Sequence, residues 1–291
     1  MTSYDVTLRL WRGDPGGGEL RDYTVACEDG EVVLDAIHRV QATQAGDLAV
    51  RWNCKAGKCG SCSAEVNGRP RLLCMTRLSI FERDEPITVT PLRTFPVIRD
   101  LVTDVSFNYE MAKRVPAFAP RPREADGTYR MAQADIDRVQ EFHKCIECFL
   151  CQNVCHVIRD HEENKRSFAG PRMFIRYAEL EMHPLETGDR RELLREQMGL
   201  GLCNITKCCT EVCPEHINIT DNAIIPLKEQ LGLGFCNITK CCSEVCPEHI
   251  KITDNAIIPL KERVADVRYD PITWLGNKLR RRGNGGGRAG D

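Results

Sequence analysis

The chain has little net charge: 40 Lys and Arg stand against 42 Asp and Glu, leaving −2. A near-neutral balance gives no general electrostatic field for nucleic acid, so no nucleic-acid partner is expected. Nowhere is there an apolar run of the ~18 residues that a membrane-crossing helix needs. The opening stretch MTSYDVTLRLWRG lacks an apolar core of signal-peptide length. The expectation is therefore a soluble or peripheral chain. A Gly-rich dinucleotide fingerprint after a strand is also missing, so the chain should bind neither FAD nor NAD alone. The Gly-rich ending KLRRRGNGGGRAGD has no apolar periodicity and reads as disordered.

Against these absences stand 17 cysteines. Without an export signal, clustered cysteines point to metal rather than to disulfides, and their spacing selects the metal. Cys54, Cys59, Cys62 and Cys74 follow C-x4-C-x2-C-x11-C, the plant-type [2Fe–2S] arrangement. Gly57 and Gly60 in that loop let backbone N–H groups approach sulfur. The alternative, a structural zinc site, more often shows paired CxxC units. The flanks suit a small ferredoxin domain. Tyr4, Val6, Leu8 and Leu10 alternate as a strand, Tyr23, Val25 and Cys27 as a second, and Val33, Ile37 and Val40 recur at helical spacing. Cys27 then belongs to the core rather than to a ligand set.

Cys145, Cys148, Cys151 and Cys155 form C-x2-C-x2-C-x3-C, the half-motif of a two-cluster ferredoxin, whose fourth cysteine reaches the other cluster. A second half-motif must lie downstream. Cys203, Cys209 and Cys213, followed by Pro214, keep the frame, but Thr206 stands where the middle cysteine belongs. A hydroxyl is a poor iron ligand beside a thiolate. The frame therefore assigns Cys145, Cys148, Cys151 and Cys213 to [4Fe–4S], and Cys155, Cys203 and Cys209 to [3Fe–4S]. Cys208 is out of frame and is expected as a packed, reduced thiol.

The second half-motif occurs twice. Residues 199–231 and 232–264 differ at five positions, and the second copy offers Cys236, Cys242 and Cys246. Seven ligands suffice for two clusters, so one copy is surplus. The 47 residues between Cys155 and Cys203 favour the first copy. Continuity of the second with RVADVRYDPITWLGNKL favours the second. The first is preferred, and a tandem duplication is the plain explanation.

The order of the three cluster motifs, with DLVTDVSFNYE and FAGPRMFIRYAEL between them, resembles the iron–sulfur subunit of succinate dehydrogenase and fumarate reductase, in an actinobacterial form. The resemblance covers nearly the whole chain. It implies an α+β fold: a β-grasp [2Fe–2S] ferredoxin-like domain at 1–105, an α-helical two-cluster ferredoxin domain at 106–265, and a tail at 266–291. In the second domain Ile136, Val139 and Phe142 should share a helical stripe, and VPAFAPRPREADG should be a surface loop.

The resemblance also implies an activity held with partners. A flavoprotein with FAD would carry the dicarboxylate chemistry, and this chain would pass electrons through its clusters to a quinone at a transmembrane anchor subunit. The chain would sit on the cytoplasmic face of the plasma membrane. The actinobacterial character suggests menaquinone. The family usually places proline and then a tryptophan-bearing stretch after the cysteine at 155, whereas this chain has His156, Val157, Ile158 and Arg159. A quinone vicinity of His156, Asn204 and Lys207 is one expectation; the other is that His156 only hydrogen-bonds near a cluster. Two other functions remain: a free multicluster ferredoxin-type carrier, and a related subunit serving disulfide reduction.

Overall fold

The computed structural model describes residues 3–233 and residue 251. The second-copy cysteines Cys236, Cys242 and Cys246, the end of the expected second domain and the tail at 266–291 lie outside the described residues.

The chain begins with a long hairpin, β1 (Ser3–Asp14) and β2 (Gly17–Glu28). Side chains alternate across a strand, so Val6, Leu8 and Leu10 point inward together, as do Val25 and Cys27. Helix α1 (Val33–Thr43) follows and covers that face with Val33, Ile37 and Val40, joined by Leu34 and Ala36. Strands β3 (Ser63–Val66), β4 (Arg69–Leu72) and β5 (Ile87–Thr90) complete a five-stranded sheet in the order β2-β1-β5-β3-β4. β5 runs parallel to β1, with Leu8 opposite Ile87, and antiparallel to β3. A mixed sheet grasping one helix is the expected ferredoxin-like unit. Each fully buried aliphatic side chain in it contributes about 1.5–3 kcal/mol of transfer free energy.

A short hairpin, β6 (Val97–Arg99) and β7 (Val102–Thr103), leads into α2 (Ser106–Lys113), and the regular elements among the described residues beyond it are helices. Residues 115–127 form the expected surface loop, tied down where Pro120 bridges Glu186. The stripe expected across Ile136, Val139 and Phe142 is only partly regular. Helix α3 (Gln133–Gln140) buries Val139 and half-buries Ile136, while Phe142 is buried from the 3-10 turn that follows.

Helices α4 (Leu150–Val154), α5 (His156–Arg159) and α6 (Pro171–Glu181) come next, then α7 (Arg191–Glu196), α8 (Cys208–Glu211) and α9 (Ile225–Gln230). α6 starts on Pro171, whose fixed φ suits a first turn. It buries Met173, Phe174, Ile175, Tyr177 and Ala178 at the centre of a second core. The two cores meet without a clean break: Cys148 and Phe149, just before α4, and Leu150, its first residue, pack into the first although the rest of α4 lies with the helices.

Candidate metal centres

The first cysteine loop runs between α1 and β3 with little regular structure. Lys55, Gly57 and Gly60 all have positive φ, which coils the backbone so that its N–H groups face sulfur. The amides of Ala56 and Lys58 donate to Cys54 Sγ at 3.4 and 3.3 Å. Cys62 ends the loop and Cys74 follows β4, and both are buried. The Leu73 amide donates to the Cys62 carbonyl at 3.0 Å, which ties the two segments together. Burial first, and then Cys74 and Cys59 as charged neighbours, push the Cys62 thiol up to about 12. Desolvation opposes ionisation of Cys59 too, but hydrogen bonds from Ser61 and Cys54 bring it down to about 7. The four expected cysteines are thus one interacting group. Cys27 is not among them: it is buried in the first core, with Arg39 Nη1 donating to its sulfur at 3.3 Å.

The two downstream half-motifs share one backbone. In the first, Glu147 and Phe149 have φ of 56° and 60°; in the second, Ile205 and Lys207 have 58° and 63°. These left-handed residues fall two and four places after the leading cysteine in both, and α4 and α8 then start at matching positions. The match sets Thr206 opposite Cys148, and Cys213 opposite Cys155. None of the four is glycine, so the loops hold a conformation that L residues adopt rarely.

The cysteines then cross over. One cavity is lined by Cys145, Cys148, Cys151 and Cys213 together. Cys155 instead interacts with Cys203 and Cys209. Burial is the leading cause in pushing Cys148 and Cys155 up to about 12 and Cys209 to about 11, and it raises Cys151 strongly. Without metal these thiols keep their protons, and a bound metal displaces them. Backbone donors again face sulfur: the Ile217 amide reaches Cys213 Sγ at 3.4 Å. Cys208 turns away and donates to the Thr206 carbonyl at 3.7 Å.

Among the described residues no three His, Cys, Asp or Glu side chains converge on a single metal ion. A cluster does not need such convergence, because its thiolates ligate different irons across an inorganic core. Two further features suit clusters. Gly60, at φ 69°, lies so close to the second centre that a Cβ would sit 2.6 Å from Cys148 Cα. Arg172, buried at the wall of the cavity between Cys145, Cys148, Cys151 and Cys213, holds an Nε with no partner among the described residues. An orphaned donor beside a cavity lined by thiols suits an occupant rich in sulfur.

Of the residues expected near a quinone, His156 and Asn204 are brought together: Asn204 Nδ2 lies 3.0 Å from His156 Nε2, and Asn204 Oδ1 is buried without a partner among the described residues. Burial depresses the His156 imidazole. Lys207 is drawn aside into an ion pair with Asp221 at 2.8 Å. Three contributors were missed at the level of sequence. Arg172 had a signal, since it is a cation inside the apolar face of α6. Thr220, 3.4 Å from Cys209 Sγ, and the buried Lys228, whose charge acts on Cys203, had none.

Residues 7–110 match the family described as a 2Fe-2S iron-sulfur cluster binding domain, and residues 141–217 a 4Fe-4S dicluster domain. The chain is 33% identical over 195 residues to a fumarate reductase iron-sulfur subunit of Mycobacterium tuberculosis, covering 64% of this chain and 75% of that one. It is 32% identical over 182 residues to a succinate dehydrogenase iron-sulfur subunit of Bacillus subtilis, covering 59% and 68%. Among solved structures it is similar to a chain of the Mycobacterium smegmatis Sdh1 complex in the apo form, at TM-score 0.77 and 71% identity over 79% of this chain and 97% of that one.

Proposed function

The chain belongs to the iron–sulfur subunits of succinate dehydrogenase and fumarate reductase, the electron-transfer subunits of that enzyme, and we propose how its residues divide that work. Cys54, Cys59, Cys62 and Cys74 hold [2Fe–2S]. Cys145, Cys148, Cys151 and Cys213 hold [4Fe–4S]. Cys155, Cys203 and Cys209 hold [3Fe–4S], because Thr206 leaves the third group one thiolate short. When bound, these groups supply one-electron chemistry between the FAD of a partner flavoprotein and a membrane quinone.

The chain's own residues set the conditions for that chemistry. Amide donors from Ala56, Lys58 and Ile217 orient sulfurs and disperse their charge. Burial of Cys62, Cys74, Cys148 and Cys151 keeps water from the metal sites. Gly60 lets the first loop approach the second, which shortens the path between stations. We place the domain boundary at the Asp104–Ser106 turn, between the two cores. Among the described residues no helix is long and apolar enough to cross a membrane. In this reading the chain lies at the cytoplasmic face of the plasma membrane, held by a transmembrane anchor subunit where quinone is met. Menaquinone near the His156–Asn204 pair is the proposed acceptor. The first copy of the repeat is the ligating one.

The crossing of Cys155 to Cys203 and Cys209, and of Cys213 to Cys145, is the observation that carries this reading. It is tested on the purified complex by succinate-dependent reduction of menaquinone, with EPR of all clusters. Three cluster signals and a co-purifying flavoprotein are expected. Zinc in place of iron, or a chain that purifies alone with full electron-carrying capacity, overturns it. Cys209→Ser should remove the [3Fe–4S] signal and Cys242→Ser should leave it; the reverse assigns the second copy.

A further inference from the structure

The wall of the cavity between Cys145, Cys148, Cys151 and Cys213 is mostly carbon, from Phe149, Ile175, Ile217 and Ile219, with two charged side chains, Arg172 and Glu215. Glu215 is engaged outward: Lys58 Nζ donates to both of its oxygens at 2.9 and 3.0 Å. Arg172 is different. Its side chain is 4% exposed, and its guanidinium stays charged at any pH the protein meets. Nη2 donates to Glu147, while Nε finds no partner among the described residues.

Such a group is costly to bury. A cation in the low-dielectric interior with an unmade hydrogen bond forfeits its hydration. Helix stability does not account for it either. Arg172 lies in the first turn of α6, where the helix dipole already presents positive charge and disfavours a cation. The Glu147 carboxylate compensates only in part, because that side chain is 46% exposed and its charge is screened by water. The remaining acceptor must come from what fills the cavity.

We infer that Arg172 sets the reduction potential of the group held by Cys145, Cys148, Cys151 and Cys213, its charge and free Nε–H favouring the state with one more electron. The inference rests on the reading that those four cysteines hold [4Fe–4S]. One electron arriving from the preceding station adds one negative charge at the cavity; no bond breaks and no proton moves. A fixed cation at the wall stabilises that added charge and raises the potential. Glu147 acts in the opposite sense, so the pair brackets the value.

The experiment is potentiometric titration of the purified complex, followed by EPR of each cluster and by iron content. Arg172→Met should lower the midpoint of the [4Fe–4S] signal. At a fixed ambient potential its reduced-to-oxidised ratio should fall at least about tenfold, or about 59 mV for one electron. Glu147→Gln should move the same midpoint upward, and the other two signals should hold still. An unmoved [4Fe–4S] midpoint in Arg172→Met with full iron overturns the inference, as does an equal shift of all three signals. If Arg172→Met loses that iron, Glu147→Gln decides: a raised midpoint supports the inference and an unmoved one overturns it. Absence of any [4Fe–4S] signal in the unaltered complex instead defeats the ligand assignment beneath it.

Discussion

Thr220 is small, buried and remote in sequence from the cysteine it serves. Its hydroxyl lies 3.4 Å from Cys209 Sγ and accepts a hydrogen bond from Thr210 Oγ1 at 3.1 Å, while the Thr220 amide donates to Thr210 Oγ1 at 3.0 Å. With its oxygen so occupied, Thr220 has its own proton free for sulfur. A donor to a ligating thiolate withdraws charge and raises the potential of the group it holds. Thr220→Val should therefore lower the midpoint of the terminal cluster's EPR signal, and Thr220→Ser should restore it. A Val variant that titrates like the parent would show the hydroxyl to be packing alone. The buried thiols give a second expectation at this scale. Cys62, Cys148 and Cys155 are pushed up to about 12 by burial, so near neutrality the metal-free chain holds them protonated. Each must lose its proton on ligating, so each pH unit of acidification weakens loading by about tenfold per thiol. Iron retained against a chelator should fall steadily from pH 8 to pH 6; a flat profile would count against the buried, protonated thiols.

At the scale of the element, the two half-motifs are one loop used twice, with left-handed turns at Glu147 and Phe149 repeated at Ile205 and Lys207. Because the backbones match, the side chain at 206 occupies the position that Cys148 fills in the first loop. Thr206→Cys should complete a fourth thiolate, abolish the [3Fe–4S] signal and raise the iron content by one per chain. Retention of the three-iron signal would show that the loop cannot bring residue 206 to the metal. These loops also mark how far sequence carries. The cysteine groupings are legible because spacing along a loop limits which sulfurs the fold can bring together. The alternation in β1 and the helical spacing in α1 are legible because one face of each is buried. The left-handed turns are not, since Glu, Phe, Ile and Lys carry no local signal for positive φ. Nor are the Arg172 and Thr220 contacts, which depend on α6 and the π-helical turn Ile219–Ile224 folding back over the cysteines. The stripe outruns α3: the helix tightens into a 3-10 turn just before Cys145, and Phe142 is buried from that turn while Ile136 is only half-buried.

On the scale of the molecule, the two cores are held together by polar contacts as well as by Phe149. Asn153, almost wholly buried, spans the junction. Its Nδ2 donates to Glu65 Oε1 at 2.7 Å, its Oδ1 accepts from the Thr94 amide at 3.1 Å, and its carbonyl accepts from Thr94 Oγ1 at 3.0 Å. Glu65 is itself buried and held by Arg93 at 2.7 Å, and Ser63 Oγ donates to the Cys148 carbonyl at 2.9 Å nearby. Removing the Asn153 amide strands the buried Thr94 N–H, a loss of about 1–3 kcal/mol, while Glu65 Oε1 keeps Arg93 Nε as a donor at 2.8 Å. Asn153→Ala should lower the melting temperature of the chain by several degrees. Asn153→Asp is nearly isosteric but sets a second carboxylate against Glu65, exchanging a donor for a like charge in a buried site. It should be the more damaging of the two at neutral pH, and the difference should shrink as acid protonates one carboxyl of the pair. An Asp variant as stable as the parent would mean that this junction is wet and that apolar packing holds the cores together. The distinction bears on the proposed electron transfer, because the same contacts hold the Gly60 loop against Cys148.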